Sequence, residues 1–262
     1  MALTIATWNI NSVRLRAEMV AGFLKTEAPD ILCLQETKSP VDKIPFEVFA
    51  AAGYGNAVAR GQKGYNGVAI FSRVPIEDAG HVDWCAKGDA RHVAARLPGG
   101  AVLHNFYVPA GGDEADPKTN PKFAHKLQFL DEMEAWGAVQ DNPAILVGDL
   151  NIAPLEDDVW SHKQLLKVVS HTPVEVEALG RVQSAGDWTD VTRAHLPAPE
   201  KLYSWWSYRA ADWAEADRGR RLDHIWSRGG VTAVPGSSRI LRDWRGVEKP
   251  SDHVPVVASF EM

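Results

Sequence analysis

Short apolar runs recur from one end of the chain to the other, and polar residues able to do chemistry stand at their downstream ends. Leu3 to Trp8 reads as a strand, and Ile31 to Gln35 as a second, nearly continuous apolar one. Gly67 to Phe71, His92 to Leu97 and Val102 to Val108 follow, the last two joined by a Pro98-Gly99-Gly100 turn that signals a hairpin. Ala144 to Val147, Leu222 to Trp226 and Val254 to Phe260 continue the series. Helical patterns lie between them. Val13 to Thr26 is amphipathic and stops before Pro29. A longer helix is capped by Asn120, takes Pro121 in its first turn, and repeats Phe123, Leu127, Leu130, Met133 and Trp136 at helical spacing. Strands and helices distributed in this way, with no repeat, low-complexity tract or linker, predict an α/β fold: two packed mixed sheets flanked by helices, as one domain over residues 1–262.

The 262 residues suffice for a well-buried core, and 45% apolar with 24% charged residues is the balance of an ordinary globule. No stretch reaches the roughly 18 apolar residues of a membrane span, and Met1-Ala-Leu-Thr-Ile lacks a basic signal-peptide start, so a cytoplasmic protein without a membrane partner is expected. Cys33 and Cys85 are far apart and form no CxxC pair, which argues against a zinc or redox site. A formal net charge of −6 argues against bulk electrostatic coating of nucleic acid. It leaves room for a nuclease with a local basic rim, for which Arg14 and Arg16, Lys118 to Lys126, and Arg218 to Arg221 are candidates, although for any single run a solvated face is the favoured reading.

Four strand ends and the last motif carry the candidate chemistry. The first strand ends in Asn9-Ile10-Asn11, which places both amides on one face if the backbone stays extended; an Asx turn at Asn11 is the alternative. Glu36 closes the second apolar run and must be solvated, metal-bound or paired, for example with Lys38. In Gly148-Asp149-Leu150-Asn151, period two sets Asp149 beside Asn151, and Gly148 allows close approach of a ligand. An acid that takes a proton from water, next to an amide that donates to a phosphoryl oxygen, suits in-line attack on phosphorus. Asp223 can orient His253 and favour its cationic form, or simply pair with Arg221 or Arg218. Ser251-Asp252-His253 puts a carboxylate and an imidazole directly before the last strand. Tyr107 offers a phenol for a phosphate or a satisfied core hydroxyl. The oxygen-rich set selects Mg²⁺ or Mn²⁺ over zinc, His104, His162, His171 and His195 show no evident partners, and no GxSxG elbow is present.

Taken in order, Trp8-Asn9-Ile10-Asn11, Leu34-Gln35-Glu36-Thr37-Lys38, Gly148-Asp149-Leu150-Asn151, Leu222-Asp223-His224 and Ser251-Asp252-His253 resemble the exonuclease III branch of the endonuclease/exonuclease/phosphatase superfamily. Asn105-Phe106-Tyr107-Val108-Pro109, Tyr203-Ser204-Trp205-Trp206 and Glu248-Lys249-Pro250 add branch-specific likeness. The resemblance implies a four-layer α/β sandwich and a magnesium-dependent DNA-repair hydrolase. Its implied activities are incision 5′ to abasic sites, 3′-to-5′ exonuclease action on duplex DNA, and cleaning of 3′ ends. It implies Glu36 as metal ligand with Asn9, Asn11 and Asp252 around it, Asp149 as base or leaving-group aid, Asn151 and Tyr107 on the phosphate, and His253 oriented by Asp223. In a two-metal variant Asp149 and Asn151 would hold the second ion. Arg91, Lys122, Trp205, Trp206, Trp213, Arg220 and Arg221 become candidate contacts to double-stranded DNA, with Trp205 and Trp206 walling an abasic pocket unless one of them is core. A monomer is expected.

Three positions depart from the family pattern: Ala110 where Asn or Gln is frequent, Ser207 where Asp is common, and Arg220 where bacterial members often carry leucine near the pocket. They bear on the balance between exonuclease and abasic-site activity. Two other functions compete: a phosphodiesterase or phosphatase acting on a small phospho-ester, and a DNA-binding protein on an inactive scaffold.

Overall fold

The computed structural model describes residues 2–262. In chain order its strands are β1 (Ala2–Asn9), β2 (Ile31–Gln35), β3 (Asn56–Arg60), β4 (Val68–Ser72), β5 (Glu77–Gly80), β6 (His92–Arg96), β7 (Val102–Tyr107) and β8 (Ala144–Asp149). They continue as β9 (Thr189–Asp190), β10 (Trp205–Trp206), β11 (Gly219–Arg220), β12 (Asp223–Arg228), β13 (Thr232–Ala233), β14 (Arg239–Ile240) and β15 (Val256–Glu261). One sheet runs β13-β15-β1-β2-β4-β3, with β14 also on β15; the other runs β5-β6-β7-β8-β12-β9; β10 and β11 form a separate ribbon. Both large sheets are mixed: β1–β2 and β7–β8 are parallel, and the remaining pairings are antiparallel.

Strand alternation explains the layers. Ile5, Ile31, Cys33, Ile70, Leu103, Ile145, Val147 and Ile225 point inward and form the core between the sheets. Their neighbours Ala6, Leu32, Leu34 and Phe71 face outward, against Val20, Phe23 and Leu24 of helix α1 (Ala17–Thr26) and Phe49 of α2 (Phe46–Ala51). On the other sheet Phe106, Ala144, Leu146 and Trp226 pack on Phe129, Leu130 and Met133 of α3 (Pro121–Ala138). Short α4 (His162–Leu165) and then α5 (Pro173–Ala185) follow, the latter adding Ala178, Leu179 and Val182 to that outer cluster. The result is helix, sheet, sheet, helix. Among the described residues no helix is long and apolar enough to cross a membrane.

Inward parity also positions the polar residues. Thr7 and Asn9 continue the face of Ile5, Gln35 that of Cys33, Asn105 and Tyr107 that of Leu103, and Asp149 that of Val147. A buried polar seam results, in which Gln35 Nε2 donates to Thr7 Oγ1 (2.9 Å) and to Asn105 Oδ1 (2.7 Å). The seam opens at the strand ends where Asn9, Tyr107 and Asp149 stand.

Several expectations are revised. The first helix begins at Ala17, not Val13, because Asn11 and Ser12 adopt positive φ and Val13–Arg16 forms a turn. Arg16 is buried, donating to the carbonyls of Ile10, Asn11, Lys249 and Pro250, so it braces loops and does not belong to a basic rim. The last strand starts at Val256, after Pro255, which has no N–H to give a ladder. Gly148 makes room for the protein itself: at φ 142°, an added Cβ would lie 1.9 Å from the Phe106 carbonyl oxygen of the neighbouring strand. His104 does have a partner, His92, with ring nitrogens 3.1 Å apart, and His162 and His171 approach to 2.8 Å. Cys33 and Cys85 are both free, and burial raises both thiols, that of Cys85 to about 12.

Candidate active site

Three left-handed residues end the strands that meet at the open seam: Asn11 (φ 46°), Glu36 (φ 50°) and Asn151 (φ 55°). Such a backbone costs a non-glycine residue energy and turns each side chain out of strand alternation. Neither Asn pair therefore keeps the extended geometry expected for it. Asn11 N–H donates to Asn9 Oδ1 (3.1 Å), and Asn151 N–H to Asp149 Oδ1 (2.9 Å), so both pairs close as Asx turns. The turns still deliver the groups to one place.

Asn9 lies at the centre, where its Nδ2 donates to Glu36 Oε1 (2.9 Å) and Asp149 Oδ2 (2.8 Å), joining the two sheets through one amide. Tyr107 Oη also donates to Glu36 Oε1 (2.8 Å), which places the phenol on the carboxylate and not in a free position facing a phosphate. Lys38 Nζ lies 2.7 Å from Glu36 Oε2 and donates to Asn11 Oδ1 (2.6 Å); Asn11 Nδ2 donates to Asp252 Oδ1 (3.1 Å). Burial drives the Glu36 carboxyl up, but the Lys38 charge and the bonds from Asn9, Lys38 and Tyr107 outweigh it and hold Glu36 below the usual range. Asp252 is likewise held low: burial raises it, while the His253 charge and the Trp205 and Asn11 hydrogen bonds lower it.

Across the seam, β12 pairs with β8 so that Asp223 sits opposite Asp149. His253 Nδ1 is 2.8 Å from Asp223 Oδ2, and His253 Nε2 is 3.7 Å from Asp149 Oδ2. Burial disfavours the imidazolium, yet Asp223 and Asp149 raise His253 to about 10, so it is cationic at neutral pH. Burial raises Asp149 to about 7, against the pull of the His253 charge. Asp223 makes no ion pair with either arginine considered for it. Arg221 is fully buried and bound to Asp158 (2.7 Å) and Asp190 (2.8 Å), which removes it from the DNA-contact candidates.

Two atom sets could receive a metal. Asp149, Asp223 and His253 each offer a ligand atom within 4.8 Å of the others, but a metal there would have to displace the proton and the Asp223 bond that His253 holds. Glu36 Oε2 and Asn11 Oδ1 already share a cation, the Lys38 ammonium, and Asp252 lies next to Asn11. All are oxygen donors, the chemistry that suits a hard divalent ion.

The remaining candidates divide. Trp205, Trp206, Trp213 and Arg220 line a cavity of about 1010 Å³ that also reaches Glu36, Asn151, Asp252 and His253. Trp206 is nevertheless core, packed with Tyr203 and Val254 and donating to Asp217 (2.9 Å). Trp205 is half-buried and donates to Asp252 Oδ2 (3.0 Å). Arg91 stacks 4.8 Å from the Tyr107 ring centre and pairs with Asp89. Lys122 is exposed on the first turn of α3, outside this cavity. Lys126, assigned to the rim, is instead buried; it pairs with Glu175 (2.5 Å) and donates to the Asn151 carbonyl (2.8 Å).

Sequence reasoning missed several supporting residues. Ser204 Oγ donates to Asp223 Oδ2 (2.6 Å) while accepting from the N–H groups of Leu222 and Asp223. Ser251 Oγ donates to the Asn9 carbonyl (2.7 Å), and Trp8 Nε1 to that of His253 (2.9 Å). Ser204 and Ser251 lie inside motifs that carried the resemblance, but nothing local marks a serine as a strut.

An acid raised towards neutrality, an imidazolium fixed by a second acid, and a cluster of oxygen donors stand together at one end of two packed sheets, an arrangement suited to phosphodiester hydrolysis. A family model described as the Endonuclease/Exonuclease/phosphatase family matches residues 6–253. Exodeoxyribonuclease III of Haemophilus influenzae is 28% identical, with 97% of this chain and 98% of that protein covered. Among solved structures, an AP endonuclease from Archaeoglobus fulgidus superposes with a TM-score of 0.90 at 34% identity, covering 99% of this chain and all of that one. A 3′-5′ exonuclease from Neisseria meningitidis gives 0.89 at 31%, again over 99% of this chain and all of the other. The chain belongs to the Endonuclease/Exonuclease/phosphatase family, in its exonuclease III/AP endonuclease branch.

Proposed function

We propose that this protein is a Mg²⁺-dependent DNA-repair nuclease that cuts duplex DNA 5′ to abasic sites, trims strands 3′ to 5′, and clears blocked 3′ ends. The observation that carries this reading is the facing of Asp149 and the Asp223-held His253 beside the Glu36–Asn11–Asp252 oxygen cluster. The relatives add support: one is an AP endonuclease, another a 3′-5′ exonuclease, and a third, also from Neisseria, a 3′ phosphatase bound to a product DNA hairpin.

In this mechanism Glu36 would hold the ion, with Asn9, Asn11 and Asp252 nearby. Bound Mg²⁺, or Mn²⁺ in its place, supplies positive charge to the phosphoryl oxygens. His253 offers Nε2–H to a phosphoryl oxygen, and Asp223, bonded at Nδ1, fixes the orientation of the ring. Asp149 accepts the proton of the attacking water, for which a value near 7 is well matched. Asn151 donates one N–H to the Val108 carbonyl (2.9 Å), which orients the other for the phosphate. Tyr107 fixes Glu36. The protein would act as a cytoplasmic monomer, with residues 1–262 working as one domain.

The test is an end-labelled duplex with one abasic site, incubated with Mg²⁺ or with chelator. Cleavage 5′ to the lesion should require the metal. Glu36→Ala and His253→Ala should each lower turnover by at least roughly 10²-fold with the fold retained. Near-normal turnover in both variants would sink the mechanism.

A further inference from the structure

Two consecutive arginines on the β11 side of the cavity have opposite fates. Arg221 turns inward and is saturated by Asp158 and Asp190. Arg220 faces the cavity and makes no ion pair among the described residues. The acid whose field it feels, Glu175, is already bonded to Lys126. Arg220 is nonetheless held firmly. Its Nη1 donates to the Val169 carbonyl (3.0 Å) and to Ser170 Oγ (2.7 Å), and its guanidinium lies 5.1 Å from the Trp205 ring centre. Its Nε is buried and has no partner. A guanidinium fixed in place, with donors left over and no counter-ion, is preorganised for an anion.

Its position indicates which anion. Arg220 pairs with Trp205 in the β10–β11 ribbon, and Trp205 bridges to His253. Two inter-strand spacings, roughly 10 Å of backbone separation, thus lie between Arg220 and the residue that faces the scissile phosphate in the reading above. We propose that Arg220 binds the phosphate on the 3′ side of the nucleotide seated in this cavity, and so selects substrates that carry a charge there over strands ending in a 3′-hydroxyl. This rests on the proposed nuclease function. A neutral wall residue at this position would recognise the sugar alone; Arg220 makes the next phosphate part of the recognised unit.

The experiment measures binding without cleavage. Two duplexes, each with one internal tetrahydrofuran abasic analogue, differ only in the linkage 3′ to it: an ordinary phosphodiester or an uncharged methylphosphonate. Affinities are read by fluorescence anisotropy in chelator at fixed salt. The wild-type protein should bind the methylphosphonate duplex about tenfold more weakly, the size of one charge-assisted contact. Arg220→Leu should bind both duplexes equally, and Arg220→Lys should keep part of the discrimination. Arg220→Gln, which can still bond Ser170, should also be indifferent, which covers the case in which Arg220→Leu fails to fold. An equal penalty in wild type and variants, or none in wild type, overturns the proposal. Adding Mg²⁺ to the phosphodiester duplex separates the two claims: cleavage without charge discrimination removes the Arg220 role alone, whereas neither binding nor cleavage removes the nuclease reading and this one with it.

Discussion

At His253 the two ring nitrogens face two different acids, Asp223 at 2.8 Å and Asp149 at 3.7 Å, and this asymmetry fixes which nitrogen is free to work. Asp223 is itself held by Ser204, so the imidazole is oriented by a chain of buried bonds. Asp223→Asn keeps the shape but removes the charge that favours the imidazolium. It is expected to lower turnover by roughly 10²–10⁴-fold while the circular dichroism spectrum is unchanged. Turnover within a factor of a few of wild type would show that His253 does not depend on Asp223. At this scale the sequence was informative about residue type and weak about geometry. Asp252 and His253 are adjacent in the chain, yet Asp252 is held by Asn11 and Trp205 while His253 turns to Asp223.

Among the elements, the parallel β7–β8 pair carries the largest local constraint. Gly148 lies against Phe106, one residue before Asp149, with an added Cβ meeting backbone atoms at 1.9 Å, 2.8 Å and 3.0 Å. Backbone cannot give way as a flexible side chain does. Gly148→Ala should therefore destabilise the protein by about 3 kcal/mol or more in chemical denaturation and displace Asp149, so that activity falls with stability. A variant as stable as the parent would contradict the described register. A second constraint ties α3 to the site: Lys126 Nζ reaches the Asn151 carbonyl while its charge is matched by Glu175, which also accepts from Ser170 and Thr172. Lys126→Met leaves Glu175 buried without its partner. The expected cost is about 3–5 kcal/mol, read as a fall in the denaturation midpoint. The helical spacing sets Lys126 on the face of Phe123, Leu130 and Met133, but only the partners on α5 and the loop after β8 make it a buried brace and not a rim cation.

For the molecule as a whole, stability should decline in mild acid through a histidine pair remote from the active site. His92 is buried and His104 half-buried against it; desolvation lowers each, and the Arg228 charge helps bring His104 to about 4. In the unfolded chain a histidine titrates near 6.5. Between those values the unfolded state binds more protons, so stability is fully present above pH 6.5 and is lost as pH falls towards 4. For His104 the loss amounts to roughly 3 kcal/mol. Melting temperatures of wild type and His104→Gln, measured from pH 7 to pH 4.5, should converge at the acid end as the wild type loses its advantage. Parallel curves would show that the pair does not contribute.

The amino-acid sequence by itself determined the order of the longer strands and of helices α1 and α3, and the residue types gathered at the strand ends. These follow from local periodicity and from the cost of burying a polar group, both of which are written along the chain. Only the tertiary structure decided which of those polar residues meet. Arg16, Lys126 and Arg221 read as rim cations and are interior braces, while Arg220, next to Arg221, is left facing the cavity without a counter-ion. The reason is physical: a charge is assigned its role by the partner that folding brings to it, and here those partners lie tens of residues away, on other elements.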